Sequence, residues 1–157
     1  MALSICGGAL AQGASFPFGD GLAGDSSAPV EIEADSLSIS QTDGTATFQG
    51  NVLVAQGDLR LSAGAVRVEY SAGTDGKQGD IKTLFASGGV TLVSGTEAAE
   101  ASEAVYAVDT GIVTMTGKVL LTQGRNVISG EKLRVDLGSG TGTMEGRVRT
   151  VLQPGDN

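Results

Sequence analysis

The residues that could do chemistry are few, and their types exclude most reactions. The chain has no His, no Trp and a single Cys, Cys6. Nucleophilic triads built on His, Cys–His pairs and ordinary zinc sites all need side chains that are missing here. Acids are more plentiful, and Glu31, Glu33 and Asp35 lie close together. Alternation along Val30–Glu33 nevertheless turns Glu31 and Glu33 outward, where water solvates them. The run Gly73–Asp80 (GTDGKQGD) holds acids and glycines but lacks the acid spacing and closing Glu of a calcium loop. It reads as an exposed loop. No metal, cofactor or catalytic residue is therefore expected, and no enzyme.

Charge narrows the partners. A net charge of −8 and a pI near 4.3 leave no clustered Lys and Arg to neutralise phosphates, so nucleic acid is not an expected partner. The chain is long enough for one domain with a buried core. Its 25 Gly would fit low complexity, but 40% hydrophobic residues is too high for disorder. Short strands joined by many tight turns account for both numbers.

The elements repeat. Pro29–Glu69 contains a small residue followed by an acid, an apolar-x-apolar strand, then Phe48-x-Gly50-x-Val52-x-Val54. The last feature returns at Gly88-Gly89-Val90-Thr91-Leu92, at Met115-x-Gly117-x-Val119-x-Leu121 and at Met144-x-Gly146-x-Val148. Two intervals are equal, 117 − 88 = 29 and 146 − 117 = 29. The first, 88 − 50 = 38, is lengthened by a polar insertion at Ser71–Asp80. A period of this size indicates stacked supersecondary units with insertions as loops. Val30 and Ile32 sit on even numbers and alternate with Glu31 and Glu33, whereas Leu37 and Ile39 fall on odd numbers, so a bulge or bend is expected near Ala34–Ser36. Asp43-Gly44 is a hairpin turn between two strands. Glu97–Val108 is rich in Ala and Glu, yet Ser102-Glu103-Ala104-Val105 occupies the repeat's strand slot, which predicts strands with Tyr106 and Val108 inward.

The chain divides into a signal-peptide remnant (1–11), a flexible leader (12–28), an all-β domain (29–154) and a tail (155–157). Ala9-Leu10-Ala11 has the small-x-small pattern of export cleavage, which would remove Cys6. Many short strands at even spacing are consistent with a sandwich, jelly roll, barrel or solenoid, and hairpin connections favour antiparallel order.

The inward set is apolar: Val30, Ile32, Phe48, Val52, Val54, Val90, Leu92, Tyr106, Val108, Met115 and Val119. It is interrupted at a fixed place by Gly50, Gly117 and Gly146. Two readings stand for these glycines. Either they permit curvature or close packing, or they hollow a lengthwise apolar groove fit for acyl chains.

The residues Pro29-Val30-Glu31-Ile32-Glu33-Ala34-Asp35, Phe48-Gln49-Gly50-Asn51-Val52, Gln56-Gly57, Ala101-Ser102, Tyr106 and Met115-Thr116-Gly117-Lys118 resemble those of the LptA/OstA family of periplasmic lipopolysaccharide transport proteins. Arg149-Thr150-Val151-Leu152-Gln153-Pro154 is similar to that family's last strand. The resemblance covers about residues 29–154. It implies an antiparallel β-jelly roll, slightly splayed, with an apolar interior that shelters lipopolysaccharide acyl chains. It further implies periplasmic head-to-tail oligomers bridging an LptC-like inner-membrane partner and an LptD-like outer-membrane receptor. Basic residues at the groove mouth are sparse, leaving Lys77 and Lys82 as headgroup candidates. The edges expected to join are Val30, Glu31, Ile32 and Glu33 at one end, and Arg147, Val148, Arg149 and Val151 at the other, with opposite charges setting orientation. The alternative is a structural β-repeat whose packed core holds no lipid.

Overall fold

The computed structural model of the chain describes residues 14–17, 28–71 and 79–154, which form thirteen strands. In chain order they are β1 (Ala14–Pro17), β2 (Glu31–Glu33), β3 (Ser36–Ser40), β4 (Thr45–Gln56), β5 (Leu59–Tyr70), β6 (Ile81–Ser87), β7 (Val90–Ser94), β8 (Glu97–Ala101), β9 (Glu103–Ala107), β10 (Ile112–Gln123), β11 (Asn126–Asp136), β12 (Thr141–Glu145) and β13 (Arg149–Val151). Glu97–Ala107 is two strands that meet at Ser102, with Val108 in the turn that follows, so the strands the repeat required are present. Helix propensity there yields to tertiary pairing with β7, β10 and β6.

Every pairing is antiparallel, and one seam folds the hydrogen-bonded network into two facing sheets. The first runs β3–β4–β5–β6–β9–β10–β11–β12–β1, using Thr45–Gln49 of β4, Ala65–Tyr70 of β5 and the corresponding halves of β10 and β11. The second runs β2–β4–β5–β7–β8–β10–β11–β13 through the other halves. The four long strands belong to both. This is the antiparallel β-jelly roll that the family resemblance implied, with its core between the two layers. Tight hairpins at Gly57-Asp58, Gly95-Thr96 and Gly124-Arg125 close one side, each Gly at φ 58, which is the first position of a type II′ turn.

The repeating glycines build the seam. Gly50 and Asn51 together oppose Gly64, and Gly117 and Lys118 together oppose Glu131, so each pair is a β-bulge. Both residues of each pair have positive φ: 83° and 49° at Gly50-Asn51, 83° and 50° at Gly117-Lys118, and 81° and 45° at Gly146-Arg147. The glycine carbonyls accept backbone N–H groups from Asp35 (2.9 Å), Ser102 (3.0 Å) and Glu131 (3.1 Å). A Cβ on any of the three glycines would come within 3 Å of the Asp35, Ser102 or Glu131 side chain. The groove-hollowing reading of these glycines is therefore corrected: they face the neighbouring strand's turn-in residue, and they bend the strands rather than empty the interior.

The bulges also set the phase of the core. Inward residues on either side of the seam are four apart on β4 (Phe48, Val52) and β10 (Met115, Val119), but three apart on β5 (Ala63, Val66). Neighbouring strands thus keep one buried face through the bend. The phase change anticipated near Ala34–Ser36 is the same seam, where Asp35 breaks β2 from β3.

Within the segment expected as a flexible leader (12–28), Ala14–Pro17 pairs with β12 as a strand, and residues 12–13 and 18–27 lie outside the described residues. The expected signal-peptide remnant (1–11), the tail (155–157) and Lys77 lie outside the described residues. At the base of the Ser71–Asp80 insertion, the Ser71 N–H donates to the Asp80 carbonyl at 2.8 Å.

Candidate functional site

Directly opposed residues of an antiparallel pair project from the same face, so the strand registers convert the inward residues into continuous stripes running across the strands. In the first sheet one stripe is Leu37, Phe48, Val66, Ala86, Ala104, Met115, Leu133 and Met144. Beside it run Ile39, Ala46, Val68, Leu84, Tyr106, Val113, Val135 and Gly142. The second sheet answers with Ile32, Val54, Leu61, Leu92, Ala99, Leu121, Ile128 and Thr150. Each stripe passes from the N-terminal to the C-terminal end of the jelly roll. The interior is therefore an apolar track whose axis is perpendicular to the strands.

The sequence-predicted interior residues are brought together on this track. Val52, Val54, Val90, Leu92, Tyr106, Met115 and Val119 are buried in the core, and Val30, Ile32, Phe48 and Val108 pack half-buried against it. Mid-molecule the space is filled: Leu92, Met115, Leu121 and Leu133 are 0% exposed. At the N-terminal end it is uncovered. Leu37 is 51% exposed and Ile39 64%, although both oppose inward residues of β4, because β3 is an edge strand with no neighbour beyond it among the described residues.

A polar margin borders the apolar track on the hairpin side of the second sheet. Gln56, Leu59, Ser94, Glu97, Gln123 and Asn126 form one registered row, and all but Leu59 are polar. Tyr106 Oη donates to Gln56 Oε1 at 2.6 Å, Gln56 Nε2 donates to the Ala28 carbonyl at 2.9 Å, and Gln123 Nε2 reaches Glu97 Oε1 at 3.4 Å. Burial raises the Tyr106 phenol above its ordinary value, while the bond to Gln56 acts the other way. Apolar inward runs made the strands legible, but this row escaped notice because its members sit beside the turns. The recurrence of Gln56-Gly57 as Gln123-Gly124 was its trace in the sequence. A second missed set is Asp35, Ser102 and Glu131. Each precedes its bulge glycine by a constant interval, 50 − 35 = 15, 117 − 102 = 15 and 146 − 131 = 15, which the sequence displays.

The other candidates fall at the periphery. Lys82 is exposed at an irregularity of the β5–β6 ladder, and its carbonyl accepts the Val108 N–H at 3.0 Å. β2 and β13 are the two edges of the second sheet. Glu31 and Glu33 are exposed on the first, Arg149 and Val151 on the second, with Arg147 and Val148 exposed just before it. On the outside of the seam an open groove of about 500 Å³ lies between Asn51, Leu53, Ser62, Gly64 and Gly88. The core residues Val52 and Ala63 also line it.

Comparison with known proteins agrees with this architecture. Residues 31–141 match the family model described as LptA/(LptD N-terminal domain) LPS transport protein. An uncharacterized protein of Rhizobium meliloti (strain 1021) is 35% identical over 96% of this chain and 84% of its own length. The lipopolysaccharide export system protein LptA of Escherichia coli (strain K12) is 31% identical over 70% of this chain, an alignment spanning 60% of that protein. Among solved structures, LptH, the LptA homologous periplasmic component of the lipopolysaccharide transport device from Pseudomonas aeruginosa, superposes with a TM-score of 0.72 at 19% identity, over 83% of this chain and 99% of LptH. That likeness establishes the shared fold. The protein belongs to the LptA/LptD N-terminal-domain family of lipopolysaccharide transport proteins.

Proposed function

We propose that this protein is a non-enzymatic periplasmic carrier that shelters lipopolysaccharide acyl chains between its two sheets and bridges the periplasm in head-to-tail oligomers. The observation that carries the reading is the set of end-to-end apolar stripes left uncovered at Leu37 and Ile39. An apolar track that stays open at its end invites either an apolar ligand or continuation by another apolar surface. Val52, Val54, Leu92, Met115 and Val119 would contact acyl chains, and Lys77 and Lys82 would meet anionic headgroup groups. Family membership supplies lipopolysaccharide as the cargo, with LptC-like and LptD-like proteins as terminal partners.

Strand direction supports the stacking. Counting along either sheet, direction alternates at each step, so β3 runs opposite to β12 and β2 opposite to β13. A second copy translated along the axis would therefore continue both sheets in antiparallel order, a heterologous contact that does not close. Glu31 and Glu33 on one edge and Arg147 and Arg149 on the other would align it.

A packed, ligand-free structural β-repeat is the second reading, favoured by the complete burial of Leu92, Met115 and Leu121. Photocrosslinking in cells separates them. A photoreactive residue at Val52 or Met115 is expected to give lipopolysaccharide adducts, whereas Leu53 and Leu120, on the outer face, are not. Equal or absent adducts from inner and outer positions would favour the structural repeat.

A further inference from the structure

The leader strand sits where a second copy would dock. β1 lies beside β12, the C-terminal edge of the first sheet, and runs antiparallel to it. β3 of a following copy would run in that same direction. The register matches as well. Ala14 opposes Met144, which belongs to the stripe that begins at Leu37, and Phe16 opposes Gly142, which belongs to the stripe that begins at Ile39. Ala14-Ser15-Phe16-Pro17 thus takes the register slots that Leu37-Ser38-Ile39-Ser40 of another protomer would fill, in the same order. Without β1 each sheet has eight strands and both present matching ends. With it, the first sheet alone is one strand longer.

We propose that β1 is an intramolecular cap on the assembly edge, competing with β3 of a second copy for the β12 backbone. The inference rests on the head-to-tail reading above. An open, non-closing edge polymerises without limit unless something covers it, and a short strand ending in Pro, which lacks an N–H, makes a blunt outer edge. The pairing is within reach of one chain. From Pro17 to Glu31 there are 31 − 17 = 14 residue steps, which can extend to about 46–50 Å. Glu31 opens β2, at the same end of the molecule as β3, and the eight strand spacings from β1 to β3 amount to roughly 38 Å.

A disulfide lock tests it in the full chain. Ser15 and Thr143 are opposed, at a separation suited to a disulfide. In a Cys6→Ser background, Ser15→Cys with Thr143→Cys is expected to close a bond within one chain. The oxidised form should sediment as a monomer at concentrations where the reduced form assembles. Conversely, Ser15→Pro with Phe16→Pro removes the N–H donors of β1 on both sides and should lower the concentration needed for assembly by at least tenfold. A disulfide between chains, or none, would overturn the cap, the former by showing strand exchange. So would a locked chain that assembles like the reduced one. If the double-proline chain and the wild type assemble equally, the cap fails and head-to-tail stacking stands. If the double-proline chain stays monomeric at every concentration, the stacking itself fails.

Discussion

Tyr106 Oη lies 2.6 Å from Gln56 Oε1, and this buried hydrogen bond joins the two sheets, since Tyr106 belongs to β9 of the first and Gln56 to β4 of the second. Tyr106→Phe removes this buried hydrogen bond and should cost about 0.5–1.5 kcal/mol, read from urea denaturation. If the sheets part to admit lipid, this bond must break. The same variant should then load lipopolysaccharide faster, and unchanged loading would show that the sheets do not separate there.

The phenol also predicts a pH dependence. Its pKa is raised, foremost by burial, above the ordinary value near 10. The folded chain therefore holds that proton more tightly than the unfolded chain. The contribution is fully present below about pH 10 and is lost as pH climbs toward and through the folded value. Denaturation midpoints of wild type and Tyr106→Phe should converge above pH 10. A constant difference between them across that range would contradict the assignment.

Val52 is 1% exposed, at the bulge end of the second sheet's interior. Val52→Glu buries a carboxylate among apolar groups and should lose about 3–5 kcal/mol with all lipid binding. Its neighbour Leu53 points outward, and Leu53→Glu should stay within about 0.5 kcal/mol. A folded Val52→Glu chain that binds lipopolysaccharide normally would count against the interior track as the path.

Gly117 and Gly89 separate backbone strain from crowding. Both have φ 83°, but a Cβ at Gly117 meets Ser102 at 2.7 Å, and one at Gly89 meets nothing within 4 Å. Gly89→Ala should cost about 1–2 kcal/mol for the left-handed backbone alone. Gly117→Ala should cost clearly more, and Gly117→Ala with Ser102→Gly should recover the excess. Equal losses at the two sites would mean that crowding by Ser102 is unimportant.

Charge orients the proposed stacking. Glu31→Lys with Glu33→Lys should abolish concentration-dependent assembly at low salt, as should Arg147→Glu with Arg149→Glu. A mixture of the two variants should restore alternating assembly, because each edge of one variant then meets an oppositely charged edge of the other. Sedimentation of each chain and of the mixture checks this. Two variants that assemble as well as wild type would leave backbone pairing as the only determinant.

Whereas the jelly roll and the family rested on the resemblance of particular residues, the two-residue alternation, the 29-residue period and the turn glycines determined the strands and their antiparallel order, because each is written in spacing along the chain. The inward placement of Tyr106 and Val108 was legible for the same reason, despite the helix-prone composition around them. Only the tertiary structure decided what Gly50, Gly117 and Gly146 do. Their left-handed backbone answers residues fifteen positions earlier, an interval the sequence displays without saying what contact it serves. It likewise decided that Leu37 and Ile39 are inward yet exposed, and that Ala14–Pro17 lies against β12. Being at an edge depends on which strands lack neighbours, and that follows from the closure of the whole sheet rather than from any stretch of it.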